Sequence, residues 1–223
     1  SGEHQKIVLP DLAAGCSMAD MAVLDELEVC WDELSEMGIH DIVPVTYMNS
    51  AASIKAFCGQ HGGTVCTSSN AVATFQWAWN RGARILFLPD QHLGRNTAFG
   101  MGVPLQQMCV WDPNVRWGGL EPSELHDARM ILWKGHCSVH TKFTVEQIKR
   151  LRASHPGIRI ISHPECTWEV IQASDEVGST SHIIRQVTES PAGSIWGIGT
   201  EIHLVNRLAQ ELAPERTVMT LDA

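Results

Sequence analysis

The sequence predicts an α/β protein built from short parallel sheets. Short apolar runs such as Arg84 to Leu88 alternate with helical segments such as Thr144 to Ala153 along the whole chain. This alternation is typical of parallel strands joined by right-handed crossover helices. Two segments also share one plan, and this internal similarity predicts duplicated α/β domains that face a common centre.

The elements at the start of the chain place a cysteine at a turn. Lys6 to Pro10 is a predicted strand, and helical periodicity predicts a helix from Met21 to Met37 that ends at Gly38. We expect Ser17 to cap this helix, which leaves Cys16 at a strand-to-helix turn. A helix N-terminus favours the thiolate, the form of cysteine that binds metal.

The rest of the chain follows the same alternation. Apolar runs bounded by Gly, Pro or polar residues predict strands, and a 3.6-residue apolar period predicts helices. The predicted strands are 42–47, 62–66, 84–88, 108–111, 130–133, 158–162, 176–177, 194–198 and 217–219. The predicted helices are 51–58, 71–79, a short one after Pro122, 144–153, 168–173, 182–187 and 201–212. Thr144 and Gln147 have the spacing of a capping box.

The repeated plan is a strand with a polar end, a short helix, a brief strand, a Ser/Thr turn and a longer helix. One copy runs from Val45 to Ala78 and the other from Ile160 to Val187. The carboxyl ends of parallel strands meet at one edge of a sheet, so their polar residues should converge. These residues are Tyr47, Asn49, Ser68, His163, Glu165, Ser179 and Thr180. Hydroxyl and turn N–H groups can hold carboxylates, and His and Glu can exchange protons, which favours a small oxygen-rich acid as ligand.

Each of these residues also has a purely structural interpretation. Serines before helices commonly cap them, Tyr47 is compatible with a core aromatic, and His163-Pro164 is compatible with a turn. Taken singly, the structural interpretation is the better one. The repetition favours a binding site, because a cap needs no matching polar residue at the preceding strand end.

The stretch from Leu132 to His140 carries the densest chemistry in the chain. An apolar strand runs into Gly135 and is followed by His136, Cys137 and His140. A thiolate with two imidazoles at the end of a strand can bind metal, polarise a carbonyl group or move a proton. The structural alternative is a packed thiol beside a half-buried imidazole.

Composition limits the classes of partner. The net charge is −9 without a basic run, which argues against nucleic acid or an anionic membrane surface as partner. The 7 cysteines are an odd number without a C-x-x-C pair, which favours a reducing, cytoplasmic setting over a disulfide framework or zinc ribbon. We expect Cys30, Cys58, Cys66 and Cys109 to be core thiols. No run of 18 apolar residues predicts a membrane span, and no secretion signal is expected.

Seven motifs occur in the same order as in a known family. They are Gly15-Cys-Ser-Met-Ala-Asp20, Tyr47-Met-Asn-Ser50, Cys66-Thr-Ser-Ser-Asn-Ala71, Phe87-Leu-Pro-Asp-Gln-His-Leu-Gly94, Gly135-His-Cys-Ser-Val-His140, His163-Pro-Glu-Cys166 and Val177-Gly-Ser-Thr-Ser181. Gly199-Thr-Glu201 also matches. Through these motifs nearly the whole chain resembles the quinolinate synthase family.

The resemblance implies a pseudo-threefold arrangement of three α/β/α domains around a central [4Fe–4S] cluster, bound by one cysteine from each domain. One open iron of the cluster would act as a Lewis acid. The implied reaction condenses iminoaspartate with dihydroxyacetone phosphate to quinolinate, releasing phosphate and water, in cytoplasmic NAD biosynthesis. L-aspartate oxidase is implied as a transient partner. The resemblance implies no binding to nucleic acid or to a membrane.

The resemblance also implies roles for individual residues. Cys16 and Cys137 would be cluster ligands, and Tyr47, His163 and Glu165 would be catalytic. The implied substrate pocket is lined by Tyr47, Asn49, Ser68, His140, His163, Glu165, Ser179 and Thr180. The family carries the cysteine of its His-Pro-Glu-Cys motif, here Cys166, without using it for the cluster.

The chain also departs from the family pattern. The family has a domain before the Cys16 motif and a third cluster cysteine at a position just beyond Ala223. We therefore expect an internal fragment with the first domain largely missing, divided into α/β domains at 1–137 and 138–223. An inactive fragment of the synthase and a non-catalytic α/β module that binds a small acid are the alternatives.

Overall fold

The computed structural model describes residues 15–222, and the strand predicted at Lys6 to Pro10 lies outside them. Within the described residues, the strands form one sheet of 5 and one of 4, and all their pairings are parallel. The predicted α/β class with short parallel sheets is therefore confirmed. In the same residues, no helix combines the length and apolar character needed to cross a bilayer.

The larger sheet has the strand order β2-β1-β3-β5-β4. Its elements are α1 (Leu24–Glu36), β1 (Ile42–Tyr47), α2 (Ala52–Gln60), β2 (Thr64–Cys66), α3 (Ala71–Trp79), β3 (Arg84–Leu88), α4 (Gln91–Gly100), β4 (Met108–Trp111), α5 (Pro122–Asp127) and β5 (Met130–Trp133). Alternate strand residues point to opposite faces. Leu86 packs with residues of α1, α2 and α5, whereas Phe87 packs with residues of α3 and α4. The sheet is thus the middle of three layers.

The smaller sheet has the strand order β7-β6-β8-β9. Its elements are α6 (Val145–Ser154), β6 (Arg159–Ser162), α7 (Trp168–Ala173), β7 (Glu176–Val177), α8 (Thr180–Glu189), β8 (Ile195–Gly199), α9 (Ile202–Leu212) and β9 (Thr217–Thr220). Ile160 packs against α6 and α7, and Ile161 packs against α8 and α9. Both side chains of the predicted Thr144–Gln147 capping box make their bonds at the start of α6.

The two sheets repeat one local arrangement, as the sequence predicts. β1 lies between β2 and β3, and β6 lies between β7 and β8. In each copy a helix connects the first strand to a brief edge strand, and a second helix follows. The two helices are equal in length in the first copy, and the second is longer in the other copy. The polar residues after β1 and β6 therefore occupy equivalent places at the carboxyl edges of the two sheets.

The predicted start of the first helix is wrong. α1 begins at Leu24 after Val23, and Ser17 does not cap it. Instead, the segment before α1 contacts the end of β5, where the Met21 carbonyl accepts a 2.6 Å hydrogen bond from Trp133 Nε1. The Met21 sulfur accepts a 3.3 Å bond from the backbone N–H of His136. The segment forms only a short 3-10 helix, Ala19–Met21, which is separate from α1, so Cys16 does not lie at the N-terminus of α1.

Helix α4 is absent from the sequence prediction. Gly94 weakens its helical signal, yet this glycine is required by packing. A Cβ at Gly94 would lie 2.6 Å from side-chain atoms of both Phe87 and Leu132. The helix can therefore lie close against the larger sheet, with Asp90 as its N-cap.

The same helix joins the two sheets. Asn96 is buried, and its Nδ2 donates to the carbonyl oxygens of Pro164 at 2.8 Å and Cys166 at 2.9 Å. One turn further, the ring of Phe99 lies edge-on to Trp168, with 4.5 Å between ring centroids. These contacts fix the loop after β6 against a helix of the larger sheet.

Replacing Asn96 should measure the strength of this connection. Asn96→Ala removes the donor to two carbonyl groups of buried residues, and each such loss typically costs ~1–3 kcal/mol. We expect the free energy of unfolding in urea to fall by at least that much. Asn206→Ala is the matched control, since Asn206 is an exposed residue inside α9 and should change stability by less than ~0.5 kcal/mol. Equal losses in the two variants would show that Asn96 does not tie the sheets together.

Candidate functional site

The candidate site lies where the carboxyl ends of strands from both sheets meet. From the larger sheet, β1 ends at Tyr47 and β5 leads to Cys137 and His140. From the smaller sheet, β6 leads to His163 and Glu165. Of the residues predicted from the repeat to converge, His163 and Glu165 lie together, and Cys137 and His140 from the loop after β5 join them.

Glu165 is the centre of the site. Its side chain is only 4% exposed, and its Oε2 lies 2.9 Å from His140 Nδ1 and 3.2 Å from His163 Nδ1. The two imidazoles stack with 4.7 Å between centroids. His140 Nε2 lies 3.3 Å from the hydroxyl of Thr200, which follows β8. One carboxylate oxygen is thus shared by imidazoles from two sheets.

The charges in this cluster are unequal. Burial opposes ionisation of Glu165, but the adjacent His140 and His163 imidazoles lower its pKa to about 2. Burial also opposes protonation of His140, yet Cys137 and Glu165 raise its pKa to about 9. Burial lowers the pKa of His163 despite the same carboxylate. At neutral pH the cluster is therefore an ion pair of Glu165 and His140 beside a neutral His163.

The cluster leaves two buried polar atoms available. In residues 15–222, neither Glu165 Oε1 nor His140 Nδ1 makes a hydrogen bond, although Nδ1 lies 2.9 Å from Glu165 Oε2. Most buried polar atoms in folded proteins are paired. A ligand or bound water that donates to Oε1 would satisfy this requirement.

Tyr47 lies beside the carboxylates and remains protonated. Burial raises the pKa of its phenol well above its usual range, and the charges of Glu165 and Asp90 raise it further, while Ser68 opposes the shift. A phenol that keeps its proton in this position acts as a hydrogen-bond donor.

A cleft of about 240 Å³ brings residues of both repeats together. Ser68 and Ser179 line it from the two sheets, with Asn96 and Pro164 between them. Ser179 also caps α8 by accepting a 3.3 Å bond from the backbone N–H of His182, as the structural interpretation expects. Ser68 is not a cap, because Asn70 is the N-cap of α3.

Two predicted site residues stand apart from the cluster. Asn49 is half-buried after β1, and Thr180 is exposed as the first residue of α8. In the part of the chain that the structure describes, neither side chain hydrogen-bonds to the Glu165 cluster. Their predicted roles therefore depend on a ligand that reaches them.

The two predicted metal-binding cysteines lie on adjoining loops. Ser17 Oγ and Ser138 Oγ, in the residues after Cys16 and Cys137, are 3.4 Å apart. Cys16 is exposed and Cys137 is half-buried. Ligand atoms of Cys137, His140 and Glu165 also lie within 4.8 Å of one another, a grouping that could hold a metal ion.

The other cysteines have the properties of core thiols, as predicted for four of them. Cys30, Cys58, Cys66 and Cys109 are buried, and burial raises the pKa of each thiol. Cys166 is also buried, with its thiol directed to the carbonyl of Gly199 at 3.5 Å.

Sequence reasoning assigned no role to three residues that shape the site: Asp90, Asn96 and Thr200. Asp90 is fully buried and accepts a 2.9 Å hydrogen bond from the backbone N–H of Cys137. Its position before a helix was available as a capping signal, because Asp is a preferred N-cap. Its second contact, across 47 residues, leaves no local pattern.

The unequal charges predict a pH dependence of stability in the metal-free chain. The raised pKa of His140 gives a contribution that is complete below ~6.5, the usual value in an unfolded chain, and that disappears as pH rises through about 9. We expect the difference in urea unfolding free energy between the parent and His140→Gln to shrink from pH 6.5 to 9.5. Titration of the buried thiols of Cys30, Cys58, Cys66 and Cys109, which do not act on His140, is common to both proteins and cancels in this difference.

Asn206→Ala provides the control, because it changes an exposed residue without adding or removing a titratable group. The difference between parent and Asn206→Ala should stay constant across the same range. A constant difference for His140→Gln as well would contradict a charged His140 in the folded chain.

Comparison with known proteins identifies the family. The family model described as "Quinolinate synthetase A protein" matches residues 1–223. Proteins named quinolinate synthase from Acidobacterium capsulatum and Corynebacterium glutamicum are 56% identical over 222 residues and 53% identical over 223 residues. The alignments cover 98% and 100% of this chain but 60% and 56% of those relatives. A quinolinate synthase from Bacillus anthracis is 49% identical over 221 residues, covering 99% of this chain and 59% of the relative.

The chain therefore spans somewhat more than half the length of these curated relatives. Because the family model covers the whole chain and these relatives are 49–56% identical to it, the chain belongs to the quinolinate synthetase A family.

Proposed function

We propose that this chain is part of a quinolinate synthase that condenses iminoaspartate with dihydroxyacetone phosphate to quinolinate, releasing phosphate and water. The names of the relatives support the activity. The observation that carries it in the structure is the buried Glu165, held between two imidazoles and next to Cys137. Such a cluster can exchange protons with a small acidic ligand.

Cys16 and Cys137 are the proposed ligands of a [4Fe–4S] cluster, with a third cysteine supplied by a segment that follows residue 223. The residues fit this group, since iron–sulfur clusters are held by cysteine thiolates and the two cysteine loops touch through Ser17 and Ser138. Neither thiol is fully buried. When bound, the cluster would supply an open iron that acts as a Lewis acid.

Glu165, Tyr47 and His163 are the proposed catalytic residues. Glu165 is ionised, so it can take a proton from a substrate carbon or return one to a leaving hydroxyl. Tyr47 keeps its proton and can donate a hydrogen bond to a substrate oxygen. The neutral His163 can either give or accept a proton, whereas the charged His140 holds the carboxylate in place.

The remaining pocket residues are proposed to bind the anionic groups of the substrates. Ser68 and Ser179 line the cleft between the sheets from opposite sides. Hydroxyl groups and turn N–H groups suit carboxylate or phosphate oxygens. Asn49 and Thr180 lie at the equivalent strand and helix ends and would extend this set.

The wider setting is part of the same proposal. The chain would supply α/β domains at 1–137 and 138–223 to a pseudo-threefold protein, in which a further domain closes the pocket. NAD biosynthesis in the cytoplasm is the proposed pathway, with L-aspartate oxidase as a transient partner that supplies the unstable iminoaspartate.

Replacing Glu165 tests the catalytic proposal in the full-length protein. Glu165→Gln keeps the shape of the side chain but removes its basicity, and general acid–base groups typically contribute ~10²–10⁴-fold to rate. We expect quinolinate formation to fall by that factor at unchanged cluster content. The exposed Glu189→Gln is the control and should retain parent activity. Turnover within threefold of the parent for Glu165→Gln would move proton transfer to Tyr47 or His163.

Two cysteine variants test the proposed cluster ligands. Cys137→Ala in the full-length protein should abolish cluster binding, because it removes a thiolate on the loop beside Cys16. Cys30→Ala should retain the cluster, since Cys30 is buried within α1. Iron per chain after anaerobic reconstitution distinguishes the two. Equal iron contents would show that the ligand assignment is wrong.

A further inference from the structure

Asp90 is a buried carboxylate that forms no ion pair within residues 15–222. Asp90 is 0% exposed, and its two carboxylate oxygens each accept a hydrogen bond from a backbone amide. Oδ1 accepts from Leu93 N at 2.7 Å, which caps α4, and Oδ2 accepts from Cys137 N at 2.9 Å. Capping requires one oxygen, and Ser or Asn caps a helix as well as Asp does. The second oxygen therefore needs a different explanation.

The second oxygen contacts a loop that is already held closely to the turn before α4. Gln91 N donates to the carbonyl of Gly135 at 3.0 Å. A Cβ at Gly135 would lie 2.3 Å from the carbonyl oxygen of Pro89, so only glycine permits this approach. Thr141 Oγ1 donates to the carbonyl of Cys137 at 3.0 Å. Both backbone polar groups of Cys137 are thus bound by side chains.

We infer that Asp90 is a positioning residue for the thiol of Cys137. By accepting the Cys137 amide, the Asp90 carboxylate fixes the backbone of that residue and hence the direction in which its Sγ leaves the loop. This inference rests on the proposed role of Cys137 as an iron ligand. Residues that orient a metal ligand commonly change metal affinity by ~10–100-fold when they are replaced.

Helix α4 then orients both halves of the site. Its cap, Asp90, holds the Cys137 loop, and Asn96 two turns later holds the carbonyls of Pro164 and Cys166 on either side of Glu165. The thiol and the carboxylate are therefore held in relation to each other by one helix.

Two substitutions separate positioning from helix capping. The side chain of Asp90→Asn has one acceptor oxygen, so it can accept a hydrogen bond from the backbone N–H of Leu93 or of Cys137 but not from both. Asp90→Ser retains a preferred cap, but its single hydroxyl is too short to serve both amides. We expect both full-length variants, reconstituted anaerobically, to lose iron to EDTA 10–100-fold faster than the parent. The electron paramagnetic resonance spectrum of the reduced cluster should shift in both, and the thermal midpoints of the metal-free proteins should fall only as far as the loss of one buried backbone hydrogen bond requires.

Glu33→Gln is the matched control. Glu33 Oε2 also accepts from a distant backbone amide, that of Trp117 at 2.8 Å, but on a loop that holds none of the proposed ligands. Its iron loss should stay within twofold of the parent and its spectrum should not shift.

Gly135→Ala provides an independent variant. It forces the Cys137 loop away from Pro89 while Asp90 can still cap α4, so faster iron loss is again expected. If the Asp90 variants do not fold, Gly135→Ala becomes the deciding variant. Iron loss from Gly135→Ala at the parent rate would then overturn the inference.

The failure of the two proposals can be distinguished. If Cys137→Ala binds as much iron as the parent, the proposed ligand is wrong and the role of Asp90 fails with it. If Cys137→Ala loses iron while folded Asp90 variants release it at the parent rate with an unchanged spectrum, only the role of Asp90 is overturned.

Discussion

The contact between Glu165 and His140 is the constraint on which the site depends. A buried carboxylate is costly unless it is paired, and removing one partner of a buried ion pair typically costs ~3–5 kcal/mol. His140 follows the last strand of the larger sheet, and Glu165 follows the first strand of the smaller one. Pairing them requires the carboxyl edges of the two sheets to meet, and the same negative charge raises the pKa of the nearby Tyr47.

Helix α4 holds the carboxyl edges of the two sheets in a fixed relation. Asp90 and Asn96 are both buried, and one polar atom of each, Asp90 Oδ2 and Asn96 Nδ2, bonds to the backbone of a loop that carries site residues. Backbone contacts of this kind fix loops more closely than contacts between flexible side chains. The Glu165 cluster and the Cys137 thiol therefore have a common frame, which suits a site that must hold a ligand and a metal group together.

Much of the fold could be predicted from sequence because buried parallel strands are short apolar runs with polar ends. β3 and α3 have the predicted bounds, and the repeated arrangement around β1 and β6 is present. The sequence does not predict α4, because Gly94 weakens its helical pattern. Only a glycine, however, lets this helix pack so closely against Phe87 and Leu132. The sequence predicts Ser17 as a cap, because local spacing does not reveal the contacts that Met21 makes with the end of β5.

The candidate site was predictable in composition but not in its connections. The ends of strands identified Tyr47, His163 and Glu165, and the dense motif after β5 identified Cys137 and His140. Which imidazole carries the charge depends on distances between residues of different sheets, as does the contact of Asp90 with Cys137. Such long-range contacts have no sequence period.

The protonation states of the two stacked imidazoles test the central claim most directly. Nitrogen-15 NMR of the histidine side chains in the metal-free chain at pH 7.5 would report both states, with His140→Gln and His163→Gln to assign the signals. We predict that His140 is doubly protonated and His163 is neutral. A neutral His140 at that pH would contradict the buried ion pair on which this account of the site depends.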